Sequence, residues 1–143
     1  FALMASIETN MREGTINTFF VGAAKLIEKG NPVYTKTATG LAFQPSAGDN
    51  VAAGDLFVGI AVETIDNTLG AASAVSVRVY GAGVHQVPNT GSITQTSVGK
   101  AIKITAAGVL AAGTVATRIG TCVGVTTALV DLSIDASIGN VWA

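Results

Sequence analysis

Two side chains able to act as a base or a nucleophile occur once each, His85 and Cys122. His85 lies in Gly83-Val84-His85-Gln86-Val87 and alternates with valines, so the pattern predicts a polar residue on a strand face. One imidazole without a second cannot build a histidine metal site. As a general base it would need a nucleophile and an orienting acid, and the spacing nominates neither. Cys122 sits between Thr121 and Val123 in an apolar run and is expected to be a small buried hydrophobe rather than a nucleophile. A lone thiol forms no intrachain disulfide and no cysteine-based zinc site.

The nine carboxylates are dispersed. Asp131 and Asp135 share one strand face, but four residues at ~3.3 Å each set them about 13 Å apart, beyond a glycosidase pair. Asp49, Asp55, Glu63 and Asp66 fall in or beside loops and read as turn formers and solvated positions; no D-x-D-x-D-G calcium loop is present. At Gly99-Lys100, Thr94 stands where a phosphate loop needs its first glycine and Ala101 where it needs Ser or Thr. There is no G-x-S-x-G elbow, G-x-G-x-x-G fingerprint or N-x-S/T acceptor. The chain is expected to be no enzyme and to need no cofactor or metal.

Composition says more. Only 12% of the 143 residues are charged, 49% are hydrophobic, and the net charge is −1. Mean hydropathy is +0.54. Soluble domains carry about 25% charged residues. A chain so poor in charge is expected to hide surface against its own copies or a larger partner. Arg12, Lys25, Lys29, Lys36, Arg78, Lys100, Lys103 and Arg118 are scattered, which leaves no footprint for nucleic acid. No stretch approaches the ~20 apolar residues of a membrane-spanning helix. The opening FALMASIETN reads as no signal peptide, because it lacks a basic leader and Glu8 interrupts it.

The elements that must position these residues are short strands. Val75, Val77 and Val79 alternate with Ser76, Arg78 and Tyr80; Val130, Leu132 and Ile134 alternate with Asp131, Ser133 and Asp135. Ile102 and Ile104 oppose Lys103 and Thr105 in the same way. Phe57 to Val62 is a continuous apolar run suited to burial on both faces, and Thr15 to Val21 is β-branched and aromatic. Many of the 17 glycines fall near the ends of such runs, at intervals of about 8–12 residues. The expected fold is mainly β: a small barrel or sandwich of short antiparallel strands with an extended N-terminal arm and little helix. The helical candidates are one turn at Ala71–Ala74 and a short stretch from Ser6 to Arg12. Residues 56–80 and 118–135 each read as an apolar glycine-containing strand followed by an amphipathic one, a faint repeat that predicts two similar hairpins around one core.

Residues 1–13 lack the alternation and form the expected arm, 14–136 the β-domain, and 137–143 a C-terminal extension. The arm carries Phe1, Leu3, Met4, Ile7 and Met11, apolar surface suited to a neighbouring subunit or, alternatively, an unattached end. Thr15 to Val21, with Thr15, Ile16, Phe19 and Phe20, is expected to pair as an added strand on a neighbouring sheet edge. Trp142, the only tryptophan, either caps the core or anchors an interface.

Several segments in order resemble a known family. Arg12-Glu13-Gly14-Thr15-Ile16 is similar to its "EG-x-I" entry, and Gly54-Asp55-Leu56 through Val62 to its "GD-apolar…G-V-A" segment. Val75 to Gly81 and Gly83 to Pro88 resemble "V-x-V-x-x-x-G-V-x-x-x-P", Val98 to Ile102 resembles "G-x-x-V/I-Y", and Ile119 to Ile134 the closing strand pair. Together, over about residues 12–135, they resemble the small phage capsid cement (head decoration) proteins of the DUF2190-like family. The Gly40–Asn50 insertion and the Val141-Trp142 extension depart from that pattern. The resemblance implies a structural virion protein, often a homotrimer, on the outer surface of an icosahedral bacteriophage capsid. There it would bridge neighbouring major capsid protein subunits and stabilise the shell. The alternatives are another virion component, such as a head fibre base or tail protein, and a small-ligand or sugar-binding β-module using Trp142, Tyr34 and Tyr80.

Overall fold

The computed structural model describes residues 16–91, 93–113 and 118–135. They form β1 (Ile16–Phe20), β2 (Lys25–Ile27), β3 (Pro32–Thr35), β4 (Ala42–Phe43), β5 (Leu56–Ala61), β6 (Ile65–Asn67), β7 (Ser76–Tyr80), β8 (Ala82–Pro88), β9 (Ala101–Ile104), β10 (Leu110–Ala112), β11 (Gly120–Val125) and β12 (Leu129–Asp135). One 3-10 turn, Gln95–Ser97, is the sole helical piece among the described residues. The strands make a five-stranded sheet of order β1-β7-β5-β3-β4, a second of order β10-β9-β11-β12-β8, and a two-stranded ribbon β2-β6. Neighbouring strands run antiparallel throughout. Of the two expected forms the chain adopts the sandwich; the sheets do not close into a barrel.

Two cores fill three layers. Between the five-stranded sheets lie Tyr34, Phe43, Phe57 and Ile60 from the first, against Val87, Ile102, Ile104, Leu110, Cys122, Val130, Leu132 and Ile134 from the second. On the other side of the first sheet, Val33, Ala61, Val77 and Val79 pack with Ile27 of the ribbon, and Phe19 and Ile65 join at the margin. The first sheet is therefore the middle layer, covered on both faces across β5 and β3. That is why Phe57 to Ala61 carries no polar alternation.

A bulge lets β5 serve both cores. Val33 lies opposite Gly59 and Tyr34 opposite Phe57, which leaves Val58 as an extra residue. The shift turns both Phe57 and Ile60 to the first core and Val58 and Ala61 to the second. The same device recurs in β11. Cys122 lies opposite Leu132 and Gly124 opposite Asp131, so Val123 is the extra residue. Cys122 and Val125 then both face the first core. The faint repeat in the sequence is thus a repeated bulge, Phe-Val-Gly-Ile at 57–60 and Cys-Val-Gly-Val at 122–125. Each bulged strand has its amphipathic follower as an antiparallel neighbour, β7 in one sheet and β12 in the other.

Gly59 is required where it stands. Its φ is +141°, which side chains rarely adopt, and an added Cβ would collide with the Tyr80 carbonyl. Two expected features differ. Ala71–Ala74 is a reverse turn, closed by the Ala74 N–H to the Ala71 carbonyl at 3.2 Å, with Ser73 at φ 64°; a positive φ there stops helical continuation. The Gly40–Asn50 segment is no mere insertion, because it supplies β4 and the core side chain Phe43.

Two outcomes follow for stability. Gly59→Ala should cost more than about 2 kcal/mol, through strain and overpacking, read as a lower urea midpoint. Burial, and secondly the negative charge of Asp55, push the Tyr34 phenol above its ordinary value of 10. A phenol whose folded pKa is raised contributes stability that is complete below pH ~10 and is lost as pH rises beyond it. Tyr34→Phe should therefore flatten the alkaline limb of the stability profile above pH ~10.

Candidate interaction surface

β1 sits at a margin of the middle sheet. It is paired along its whole length with β7, from Ile16 opposite Tyr80 to Phe20 opposite Ser76. The Thr15–Val21 segment is the one expected to pair as an added strand on a neighbouring sheet edge, and one edge of β1 is used inside its own sheet, by β7. Val21 is fully buried and bonds through its N–H to the Val75 carbonyl at 3.0 Å. The other edge of β1 has no strand beside it among the described residues. Phe19 packs on the second core, whereas Ile16 and Phe20 point the opposite way and remain 42% and 59% exposed. Of the remaining predicted interface residues, Phe1, Leu3, Met4, Ile7, Met11, Thr15 and Trp142 lie outside the described residues.

On β7 the same outward face presents Ser76, Arg78 and Tyr80, since Val77 and Val79 turn inward. β7 of this sheet and β8 of the second are joined through Gly81. There Tyr80 stacks on His85, with ring centroids 4.7 Å apart and 19° between planes. His85 Nε2 lies 2.7 Å from the Ala82 carbonyl. A carbonyl only accepts, so Nε2 is the donor in this contact. Arg78 holds Glu63 through two bonds, Nε to Oε1 at 3.1 Å and Nη2 to Oε2 at 2.9 Å. The hydrogen bonds from Arg78 bring the Glu63 carboxyl below its usual range. The outward face is therefore mixed, with Ile16, Phe20 and Tyr80 beside Thr18, Ser76 and Arg78, and Arg78 is paired with Glu63.

The charged loop residues act structurally. Asp55 is buried, contrary to its expected solvated place, because its carboxylate accepts the Thr37 N–H at 3.0 Å and the Ala52 N–H at 2.9 Å. Asp49 pairs with Lys25 at 2.7 Å and Lys36 at 3.3 Å. Lys36 Nζ also reaches the Asn50 carbonyl at 2.9 Å and lies 3.7 Å from the Phe43 ring centroid. These bonds tie the 44–55 loop across β3.

One exposed leucine escaped the sequence reading. Leu69 protrudes fully from the turn after β6. That turn is braced: the buried Asn67 donates Nδ2 to the Gly22 and Ala71 carbonyls at 2.9 and 3.0 Å. Thr68 donates through N–H and Oγ1 to Asp66 Oδ1 at 3.0 and 2.6 Å. The N-x-L-G context reads as an ordinary turn, and no sequence signal separates a held apex from a loose one.

Nothing described gathers catalytic groups. Cys122 is buried, as expected, with Sγ 3.4 Å from the Gly124 carbonyl. Among the described residues no cluster of three or more His, Cys, Asp or Glu could hold a metal. An open hollow of about 490 Å³ beside Asn89, Thr94, Gln95 and Thr126 has no ionisable lining. The sugar-stacking alternative loses Tyr34, which is buried between Phe43 and Phe57, with centroids at 6.5 and 5.5 Å. Among the described residues no helix is long and apolar enough to cross a membrane.

No protein-family profile matches the chain, so the decoration-protein resemblance gains no support from one, and no curated protein matches it either. Its fold is similar to that of the head fiber gp8.5 N base of bacteriophage phi29. The TM-score is 0.53, the identity is 18%, and the likeness covers 85% of this chain and 95% of that one.

The bracing separates scaffold from surface in a testable way. Asp55→Ala should cost about 2–4 kcal/mol in denaturant unfolding, since two N–H groups lose a charged acceptor. Leu69→Ser should stay within ~0.5 kcal/mol of the parent, because the side chain touches nothing that folding buries.

Proposed function

We propose that this chain is a structural protein of a phage virion, attached to the outside of the head. The observation that carries this reading is the fold likeness, which takes in nearly the whole of a head fibre base. The rest of the molecule supports it. Among the described residues its exposed features include Ile16 and Phe20 on β1, a strand edge with no neighbouring strand, and Leu69 on a braced turn, which suit many modest contacts repeated by symmetry. In this reading the chain works by adhesion alone, without a catalytic step or cofactor.

Two finer versions differ in what the attachment does. As a fibre base, the chain anchors a projecting appendage. As a cement protein, the version favoured by the ordered glycine-strand segments, it sits as a homotrimer and bridges neighbouring major capsid subunits. Electron microscopy of virions with and without the encoding gene distinguishes them. The expected result is head-surface density that disappears with the gene. Loss of heat resistance in the bare heads selects cement, and loss of a projecting fibre from heads of unchanged heat resistance selects the base. Absence from purified virions, or density confined to the tail, would overturn the reading.

A further inference from the structure

We propose that the strip of the second sheet where β9 meets β11, which brings Lys100, Lys103 and Arg118 together, is a docking site for an acidic protein surface. The sequence scatters these cations and the ladder gathers them. Gly120 lies opposite Ile102, and the Cys122 N–H donates to the Lys100 carbonyl at 3.0 Å. Lys103 stands one residue past that pair on β9, and Arg118 two residues before Gly120 on the neighbouring strand's approach. With strands ~4.8 Å and residues ~3.3 Å apart, all three backbones fall within about 15 Å. Lys100 is exposed and the other two are partly exposed. Elsewhere the cations are matched: Lys25 and Lys36 pair with Asp49, and Arg78 with Glu63. Lys29 directly follows Glu28. Lys100, Lys103 and Arg118 make no ion pair with a described carboxylate. Like charges on neighbouring strands weaken the pairing they flank, so the arrangement favours a bound anion.

The surroundings select the occupant. One small anion needs charges that converge on a point, whereas Lys100 and Lys103 are ~10 Å apart along the strand, a spacing for separate carboxylates. The strip also carries apolar surface. Val123 is 49% exposed and follows Cys122, whose N–H is bonded to Lys100, and Val109 is 38% exposed just before β10. Apolar contact beside charge suits a folded protein. A nucleic acid carries a dense, continuous run of phosphates, and it would extend onto β12, the strand next to β11, which bears Asp131 and Asp135. A second copy offers few free carboxylates, because Asp49, Asp55, Glu63 and Asp66 are already bonded within their own chain. Within the virion reading, on which this one step rests, the acidic surface belongs to the shell.

Two measurements on the full chain test it. In the first, NMR amide shifts are followed during titration with a glutamate hexapeptide and, separately, with single-stranded DNA of equal charge. The peptide should shift residues 99–103 and 118–123 selectively. Raising salt from about 0.05 to about 0.5 M should weaken that binding at least about tenfold. Lys100→Glu combined with Lys103→Glu should do the same at low salt. Lys100→Glu alone, at an exposed position, carries the test if the pair disturbs folding. Absent or dispersed shifts, or tighter binding of DNA at the same amides, would overturn the proposal. In the second, parent and variant chains are added to heads assembled without the gene. Parent binding that the substitution and salt both weaken supports the site. Equal binding of parent and variant overturns it and leaves the virion reading standing, whereas peptide binding without head binding keeps the site and removes that reading.

Discussion

The middle sheet is apolar on both faces, and nearly everything else follows from covering it. β5 and β3 have almost no solvent side. One face requires a second five-stranded sheet and the other at least the β2-β6 ribbon. A regular strand would send Phe57 and Ile60 to opposite sides. The Val58-Gly59 bulge sends both to the larger core, where Tyr34 meets Phe57 and Phe43 in tilted ring contacts. The bulge depends on a residue without a Cβ, because the β7 carbonyl at Tyr80 lies against it. A single glycine thereby links the division of side chains between two cores to the joining of β5 and β7.

The scarcity of charge shapes the loops as much as the surface. With so few ions, some of those present do several jobs each. Asp55 replaces a turn of main-chain hydrogen bonding for two amides at once. Lys36 joins two carboxylates, a carbonyl and an aromatic face. Such a cluster gains its value from geometry held by the sheet rather than from isolated pairs, which contribute little when exposed. The consequence is a long 44–55 connection that behaves as part of the framework.

Much of the fold was legible in the residue pattern. Period-two alternation placed Val77 and Val79, Leu132 and Ile134, and Ile102 and Ile104 inside, and the structure buries all six. The unbroken run at 57–62 announced a doubly covered strand. What could not be read was pairing across distance. Nothing local says that β1 spends an edge on β7, sixty residues away, or that β7 and β8 part into different sheets at Gly81. The fate of Asp55 was hidden for a similar reason: its burial depends on Thr37, which only the fold brings near. Leu69 was missed because hydrophobicity alone does not reveal whether the turn beneath a side chain is braced.

That bracing bears on why the surface is built as it is. A side chain that contributes nothing to its own fold, carried on a turn fixed by Asn67, Asp66 and Thr68, loses little entropy when a partner covers it. The same economy applies to β1, whose backbone is already ordered by β7. Net charge matters in the same way. Molecules repeated at close spacing meet their own charge at each neighbour, within a screening length of about 8–10 Å. In the virion assembly proposed above, −1 per chain would keep that repulsion small and leave the association to weak apolar contacts. A strongly charged surface of the same shape would keep copies apart however well their edges matched.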